Sequence, residues 1–201
     1  MSCAQKQPDQ KISLAGGGLR YYHSVVDDHR GLVEQLGEEI DWQQHQITLF
    51  GRTHSAPRLS AWMGDANASY QYSGLRLTPV HWSPAVAALR DLVTAICEAP
   101  FNSVLLNLYR DGNDAMGWHS DDEPELGPSP MVASLSLGET RRFSLKHRNH
   151  AEEEGISLDL PGGSLLIMDP PTQQNWRHCV RPTRRAVGAR INLTFREIVH
   201  S

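Results

Sequence analysis

The sequence predicts an α+β protein that is mainly β, with two N-terminal helices packed outside a jelly-roll or barrel of antiparallel strands. After Pro100, short segments rich in apolar and β-branched residues are separated by Gly, Pro and charged turns. No helical pattern of ten residues interrupts them, so a parallel sheet with helical crossovers is disfavoured. The six predicted strands are NSVLLNLY, MVASLSL, RRFSLKH, ISLDL, GSLLIM and ARINLTFR.

Two helices are predicted before Pro100. The first follows an acidic pair that can cap it, and the second begins with Ser83 and Pro84, a capping residue and a proline at the first helical position. Their apolar stripes have helical spacing and comprise Leu32, Val33, Leu36 and Ile40 in the first helix, and Val86, Leu89, Val93 and Ile96 in the second. Residues 47–82, between the helices, have the pattern of short strands and turns, including ITLFG and YQYSGLRL.

The composition is that of an ordinary folded domain. Of 201 residues, 39% are hydrophobic and 21% are charged, which argues against a disordered chain. We expect a flexible tail over residues 1–18, which ends in three glycines, and a single domain over residues 19–201. The three cysteines are widely spaced and odd in number, so a disulfide scaffold is not expected. Without an apolar leader or a membrane-length run, we expect a cytoplasmic protein, or a nuclear one in a eukaryote, and no membrane partner.

The charge is unevenly distributed along the chain. A net charge of −4 by itself disfavours a nucleic-acid partner. Residues 141–196, however, carry ten Lys or Arg and five Asp or Glu, against nine and seventeen in residues 1–140. This basic C-terminal part makes an anionic ligand plausible. The alternative is that these charges solvate strand edges.

The segment GWHSDDEPELG crowds three acids beside His119, although neighbouring carboxylates repel one another. A solvated acidic loop is one explanation. A metal site is another, because Asp121 lies two residues after His119, where alternate residues of a strand face the same way. His178, close before the last strand, supplies a second imidazole. Two imidazoles and one carboxylate form the facial triad of non-haem Fe(II), although zinc can use the same ligands.

The last strand carries a second signal. Its alternate polar residues share one face and are Arg190, Asn192, Thr194 and Arg196. Two inward arginines are costly unless they meet an anion, and a dicarboxylate matches their bidentate forks. Asn107 and Tyr109 also alternate and can donate to the same carboxylates. An iron triad beside a dicarboxylate socket implies 2-oxoglutarate.

Three motifs, NLYRDGNDAMGWHSDDEPELG, MVASLSLGETRRF and ARINLTFR, resemble the AlkB family of Fe(II)/2-oxoglutarate dioxygenases. The resemblance runs from about residue 49 to residue 198. It implies a double-stranded β-helix (jelly-roll) core over residues 100–198, with iron on His119, Asp121 and His178. It also implies that the cosubstrate lies on Asn107, Tyr109, Arg190, Asn192 and Arg196, to which we add Thr194 because it shares their face.

The resemblance extends to residues 47–82, which are similar to the nucleotide-recognition lid of the family's eukaryotic DNA-repair branch. It implies a finger at Phe50, Gly51 and Arg52 that wedges into a duplex, and an acidic step beside the target base. Structural alternatives stay open. The segment around Phe50 can be the end of a strand, Tyr70 and Tyr72 can be core aromatics of a hairpin, and Asp122 and Glu123 can form a turn before Pro124. The candidate substrate contacts are Phe50, Gly51, Arg52, Arg58, Tyr70, Tyr72, Asp122 and Glu123.

The activity implied by the resemblance is oxidative demethylation of N1-methyladenine and N3-methylcytosine in DNA, with RNA as a further possible substrate. It consumes 2-oxoglutarate and O2 at Fe(II) and releases formaldehyde, succinate and CO2, which amounts to direct reversal of alkylation damage. We expect a monomer whose partner is alkylated DNA. Two alternatives stay open: an Fe(II)/2-oxoglutarate hydroxylase or demethylase of a different substrate, and a non-catalytic jelly-roll binding module.

Overall fold

A computed structural model describes residues 6–49, 52–66, 68, 70–72, 75–77, 79–150 and 152–199. Strands predominate in it. In chain order the elements are β1 (Gln10–Leu14), β2 (Gly17–Tyr22), α1 (His29–Glu39), β3 (Gln46–Leu49), β4 (Arg52–Ser55), β5 (Leu59–Gly64), β6 (Tyr70–Tyr72), β7 (Leu75–Leu77), α2 (Pro84–Cys97), β8 (Ser103–Tyr109), β9 (Met116–His119), a 3₁₀ turn (Pro124–Leu126), β10 (Val132–Gly138), β11 (Arg141–His147), β12 (Ile156–Leu160), β13 (Leu165–Asp169), α3 (Thr172–Asn175), β14 (Trp176–Val180) and β15 (Arg190–Arg196).

Two antiparallel sheets form the core. The major sheet has seven strands in the order β1-β2-β13-β10-β15-β8-β5, and the minor sheet has four in the order β12-β11-β14-β9. Two separate hairpins, β3–β4 and β6–β7, belong to neither sheet. The predicted fold class is confirmed: a mainly β, jelly-roll type core with the helices outside it.

Along the central strands, successive side chains face opposite sides of the major sheet. One side can therefore pack a hydrophobic core while the other lines a polar site. On β15, Ile191, Leu193 and Phe195 point outward into a cluster with α1 and α2. The residues between them point toward the minor sheet. A second apolar cluster lies between the sheets and contains residues such as Val132, Phe143 and Leu166. The inner face is therefore apolar at one end and polar where β15 and β8 pass.

Both predicted helices form, with the predicted caps. The Asp28 side chain accepts a hydrogen bond from the Gly31 N–H at 3.0 Å, and α1 begins at the next residue. The Ser83 hydroxyl accepts from the Val86 N–H at 3.4 Å, and Pro84 opens α2. No helix in the described part of the chain is both long and apolar enough to cross a membrane.

Two of the expected boundaries need correction. Gln10–Leu14 is not part of a flexible tail but forms the outer strand of the major sheet, paired with β2. Ile12 and Leu14 pack against the cluster between the sheets, and this apolar alternation explains the pairing. Within the expected lid, Leu59–Gly64 instead joins the major sheet beside β8 and is largely buried.

Candidate active site

The two candidate histidines lie on neighbouring strands of the minor sheet. His119 ends β9 and is paired directly with His178 on β14. Trp176–Val180 forms β14, and its pairing with β9 fixes His178 opposite His119. Asp121 follows two residues after β9. The candidate ligand atoms of His119, Asp121 and His178 all lie within 4.8 Å of one another.

The side chains of this triad are held by short contacts. His119 Nδ1 lies 2.9 Å from the Gly117 carbonyl oxygen, which leaves Nε2 for another partner. The His178 ring stacks on Phe143 with ring centres 5.1 Å apart. His178 Nε2 lies 3.5 Å from Asp121 Oδ2. Asp121 and His178 are 1% and 4% exposed, so the pair is closed to bulk water.

The protonation states suit a metal site. Burial, together with the neighbouring His119, lowers the pKa of His178 to about 3, so its imidazole is neutral near pH 7. Burial also lowers the pKa of His119. For Asp121, burial raises the pKa, but the nearby Arg196 and the two histidines outweigh it and bring the value to about 2. Two neutral imidazoles and one carboxylate are the forms in which these side chains bind a cation.

The polar face of β15 lies in the same pocket as the triad. Asn192 Nδ2 donates to Ser134 Oγ at 2.8 Å, and Thr194 Oγ1 donates to Asn192 Oδ1 at 3.1 Å. Arg196 donates to Asp121 Oδ1. The pocket is lined by every predicted metal and cosubstrate residue: Asn107, Tyr109, His119, Asp121, His178, Arg190, Asn192, Thr194 and Arg196.

Arg190 has donor capacity left over. It is 1% exposed, its Nη2 donates to Ser136 Oγ at 2.9 Å, and its guanidinium lies 5.2 Å from the centre of the Tyr109 ring. Among the described residues, its Nε and Nη1 have no hydrogen-bond partner, and neither does Asp121 Oδ2. A buried guanidinium with two spare donors fits a carboxylate, and a buried carboxylate oxygen beside two imidazoles fits a cation. The residues present therefore fit both Fe(II) and 2-oxoglutarate.

The predicted substrate contacts are spread over several places. Arg58 is buried, and its Nε donates to Asn107 Oδ1 at 2.8 Å, so it reaches the pocket rather than the surface. Asp122 forms an ion pair with Arg148, and Glu123 is partly buried next to it. Arg52 begins β4 and Tyr70 and Tyr72 lie in β6, whereas Phe50 and Gly51 lie outside the described residues.

Sequence reasoning missed several side chains that support the pocket. Ser134 and Ser136 face it from β10, and the alternation of Ser and Leu in MVASLSL was the signal. Arg141, one of the ten basic residues of the C-terminal part, is only 3% exposed. It donates to the carbonyls of Asp111 and Asp114 at 3.0 and 2.7 Å and stacks on Tyr109. Nothing in its local sequence distinguishes it from an exposed strand arginine.

Comparison with known proteins supports the class that this geometry defines. The model of the 2OG-Fe(II) oxygenase superfamily matches residues 18–196. The fold is shared with the solved structure of OsALKBH1, which has a TM-score of 0.64 and 20% identity over 92% of this chain and 100% of that one. A 2OG-Fe(II) oxygenase-family oxidoreductase from Burkholderia pseudomallei has a TM-score of 0.58 and 12% identity, covering 89% and 84%.

Two curated relatives define the chain's place within that class. DNA oxidative demethylase ALKBH2 of Mus musculus is 42% identical over 96% of this chain and 86% of its own length. Alpha-ketoglutarate-dependent dioxygenase alkB homolog 3 of Homo sapiens is 38% identical over 94% and 70%. The chain belongs to the 2OG-Fe(II) oxygenase superfamily and, within it, to the AlkB family, as the three motifs indicated. It is a dioxygenase that uses Fe(II) as its cofactor and 2-oxoglutarate and O2 as cosubstrates.

Proposed function

We propose that this dioxygenase removes alkyl groups from damaged DNA bases, with His119, Asp121 and His178 as its iron ligands. The observation that carries the proposal is the pocket in which this triad and the spare donors of Arg190 occur together. The relatives named DNA oxidative demethylase support the choice of substrate.

The cosubstrate is proposed to lie along β15. Arg190 binds the distal carboxylate of 2-oxoglutarate, because its unpartnered donors lie beside Tyr109 and away from the triad. Arg196 lies at the end of the pocket nearer the metal ligands, because it donates a hydrogen bond to Asp121. Asn107, Asn192 and Thr194 line the pocket between them. When bound, Fe(II) and 2-oxoglutarate supply the activation of O2 that hydroxylates the N-methyl group.

Residues outside the triad are proposed to recognise and orient the alkylated base. N1-methyladenine and N3-methylcytosine are cationic, and the carboxylates of Asp122 and Glu123, next to the triad, suit that charge. The base must leave the helical stack to reach the pocket. Tyr70, Tyr72 and the finger around Phe50 are proposed to replace the lost stacking. Arg52 is proposed to meet a phosphate, and Arg58 to hold the pocket edge through Asn107.

Mass spectrometry of oligonucleotides tests the function directly. Matched single- and double-stranded oligonucleotides, each with one N1-methyladenine, are incubated with Fe(II) with and without 2-oxoglutarate. We expect the methyl group to be lost only when 2-oxoglutarate is present, with formaldehyde released. Turnover of 2-oxoglutarate without change in any alkylated oligonucleotide would point instead to a different substrate.

A further inference from the structure

The short helix α3 lies against the loop that carries Asp121 and makes a specific contact with it. Gln173, in this helix, is 1% exposed. Its Oε1 accepts a hydrogen bond from the Asp121 backbone N–H at 2.9 Å, and its Nε2 lies 3.2 Å from Met168 Sδ. Both ends of the amide are thus engaged inside the protein, which restricts the side chain to one orientation.

Ser120 and Asp122, the residues on either side of Asp121, are also held in place. The Ser120 hydroxyl donates to the Trp176 carbonyl oxygen at 2.9 Å. Arg148 pairs with Asp122 and lies 3.4 Å from the Gln173 carbonyl oxygen, so one guanidinium joins the second acid to the same helix. Each residue from Ser120 to Asp122 therefore contacts α3 or its flank, either directly or through Arg148.

The helix itself is anchored on its far side by the N-terminal hairpin. Asn175 Nδ2 donates to the Gly16 carbonyl oxygen at 2.8 Å, and Trp176 Nε1 donates to the Ala15 carbonyl oxygen at 2.9 Å. The contact from Gln173 to Asp121 is thus made from a fixed support. His178 lies two residues beyond Trp176, so the same support carries a second candidate ligand.

We propose that Gln173 is a positioning residue for the metal site, an inference that rests on the proposed iron ligands. Asp121 lies beyond the end of β9, so strand geometry does not set the direction of its carboxylate. The peptide plane is set by the acceptor that its N–H finds, and that acceptor is Gln173 Oε1. The carboxylate is then directed so that Oδ1 meets Arg196 and Oδ2 faces His178. Groups that orient metal ligands in this way typically contribute about 10–100-fold to metal affinity.

Titration of the metal-free protein with Co(II), without DNA, tests this role. Gln173→Met keeps most of the volume and removes the acceptor oxygen, and Gln173→Ala removes it without a sulfur. Both variants are expected to bind Co(II) about 10–100-fold more weakly, with an altered visible spectrum of the bound ion. Gln174→Met is the matched control, because Gln174 is an exposed neighbour on the same helix whose amide donates to the Pro128 carbonyl oxygen rather than to Asp121, and it should bind Co(II) like the wild type.

The outcomes distinguish a failure of the Gln173 inference from a failure of the proposed metal site. His178→Ala is titrated alongside, and wild-type affinity in that variant, or no Co(II) binding by the wild type, would show that the proposed ligands are wrong. If His178→Ala loses Co(II) while both Gln173 variants bind it like the wild type and only melt earlier, Gln173 is structural and the proposal is overturned. Failure of both Gln173 variants to fold would also overturn it, because a residue that only orients Asp121 is dispensable for folding.

Discussion

Arg196 and Asp121 form a fully buried ion pair that joins the last strand of the major sheet to the loop after β9. Their side chains are 2% and 1% exposed. The pair occupies Asp121 Oδ1 and leaves Oδ2 facing His178. The candidate metal ligand and the candidate cosubstrate strand are therefore coupled, and a change at either end should disturb both.

The first prediction separates two triad variants, both of which are expected to abolish demethylation. Asp121→Ala removes one half of the buried ion pair with Arg196, which is expected to destabilise the metal-free protein by about 3–5 kcal/mol. His119 is less buried than Asp121 and has no such ion pair, so His119→Ala should cost far less. Urea denaturation measures both. Equal stability of the two variants, or substantial demethylation by either with Fe(II) and 2-oxoglutarate supplied, would contradict the assignment.

The second prediction concerns Arg190, which is proposed to bind the distal carboxylate of 2-oxoglutarate. Arg190→Lys keeps the cation but loses the fork that can grip a carboxylate, so the concentration of 2-oxoglutarate for half-maximal turnover should rise about tenfold or more. Arg142→Lys is the matched control, because Arg142 is 66% exposed on β11, where it pairs with Asp159. An unchanged 2-oxoglutarate requirement in Arg190→Lys would place the distal carboxylate elsewhere.

The third prediction is a pH dependence of stability at Asp114. Burial raises the pKa of this carboxyl, but hydrogen bonds from Arg110 outweigh burial and lower it from its ordinary value of 3.8. Because the folded pKa lies below the unfolded one, the stabilisation is complete above the unfolded value and is lost as the pH falls through the folded value. Asp114→Asn should cost about 1–2 kcal/mol at neutral pH and flatten the acid limb of the stability curve.

Denaturant midpoints between pH 2 and pH 7 provide the measurement for Asp114. Asp91→Asn is a suitable control, since Asp91 also pairs with an arginine but its side chain is 68% exposed. That variant should leave the acid limb as in the wild type. Parallel curves for wild type and Asp114→Asn would mean that Asp114 contributes nothing specific.

The fourth prediction concerns the proposed finger. In the sequence, Phe50 lies between β3 and β4. Leu49, the last residue of β3, is paired with Arg52, the first residue of β4. If Phe50 replaces stacking when a base is flipped out of a duplex, Phe50→Ala should slow repair of double-stranded DNA much more than repair of single strands. Initial rates on the two matched substrates measure the difference. Equal loss on both, together with a lower melting temperature, would assign Phe50 to the core instead.

Much of the fold follows from local sequence patterns. Caps at Asp28 and Ser83 and apolar stripes locate both long helices, and six of the eight described strands after Pro100 stand out by composition. The three glycines at residues 16–18 favour a flexible tail, whereas the alternation of Ile12 and Leu14 fits the N-terminal strand that forms. In β14, WRHCV has no clear alternation, and its strand character comes from pairing with β11 and β9.

Asp121 could be predicted from its spacing after His119, although it lies beyond the end of β9, and the arginine face could be predicted because strand alternation is a local rule. Support from distant parts of the chain could not. Gln173 reaches Asp121 across 52 positions and Arg141 reaches Asp111 across 30, and no spacing rule connects them. Arg58, expected among the substrate contacts, is buried and donates to Asn107 across 49 positions, a contact that its local sequence does not indicate.

The most direct test of the proposed chemistry is the stoichiometry of succinate and repaired base. Purified protein with Fe(II), 2-oxoglutarate and O2 is given a limiting oligonucleotide with one N1-methyladenine, and both products are counted by mass spectrometry in the same sample. We expect one succinate for each methyl group lost, with neither product formed by His119→Ala. Succinate formed at the same rate with and without the alkylated oligonucleotide, while the methyl group stays in place, would contradict a DNA demethylase.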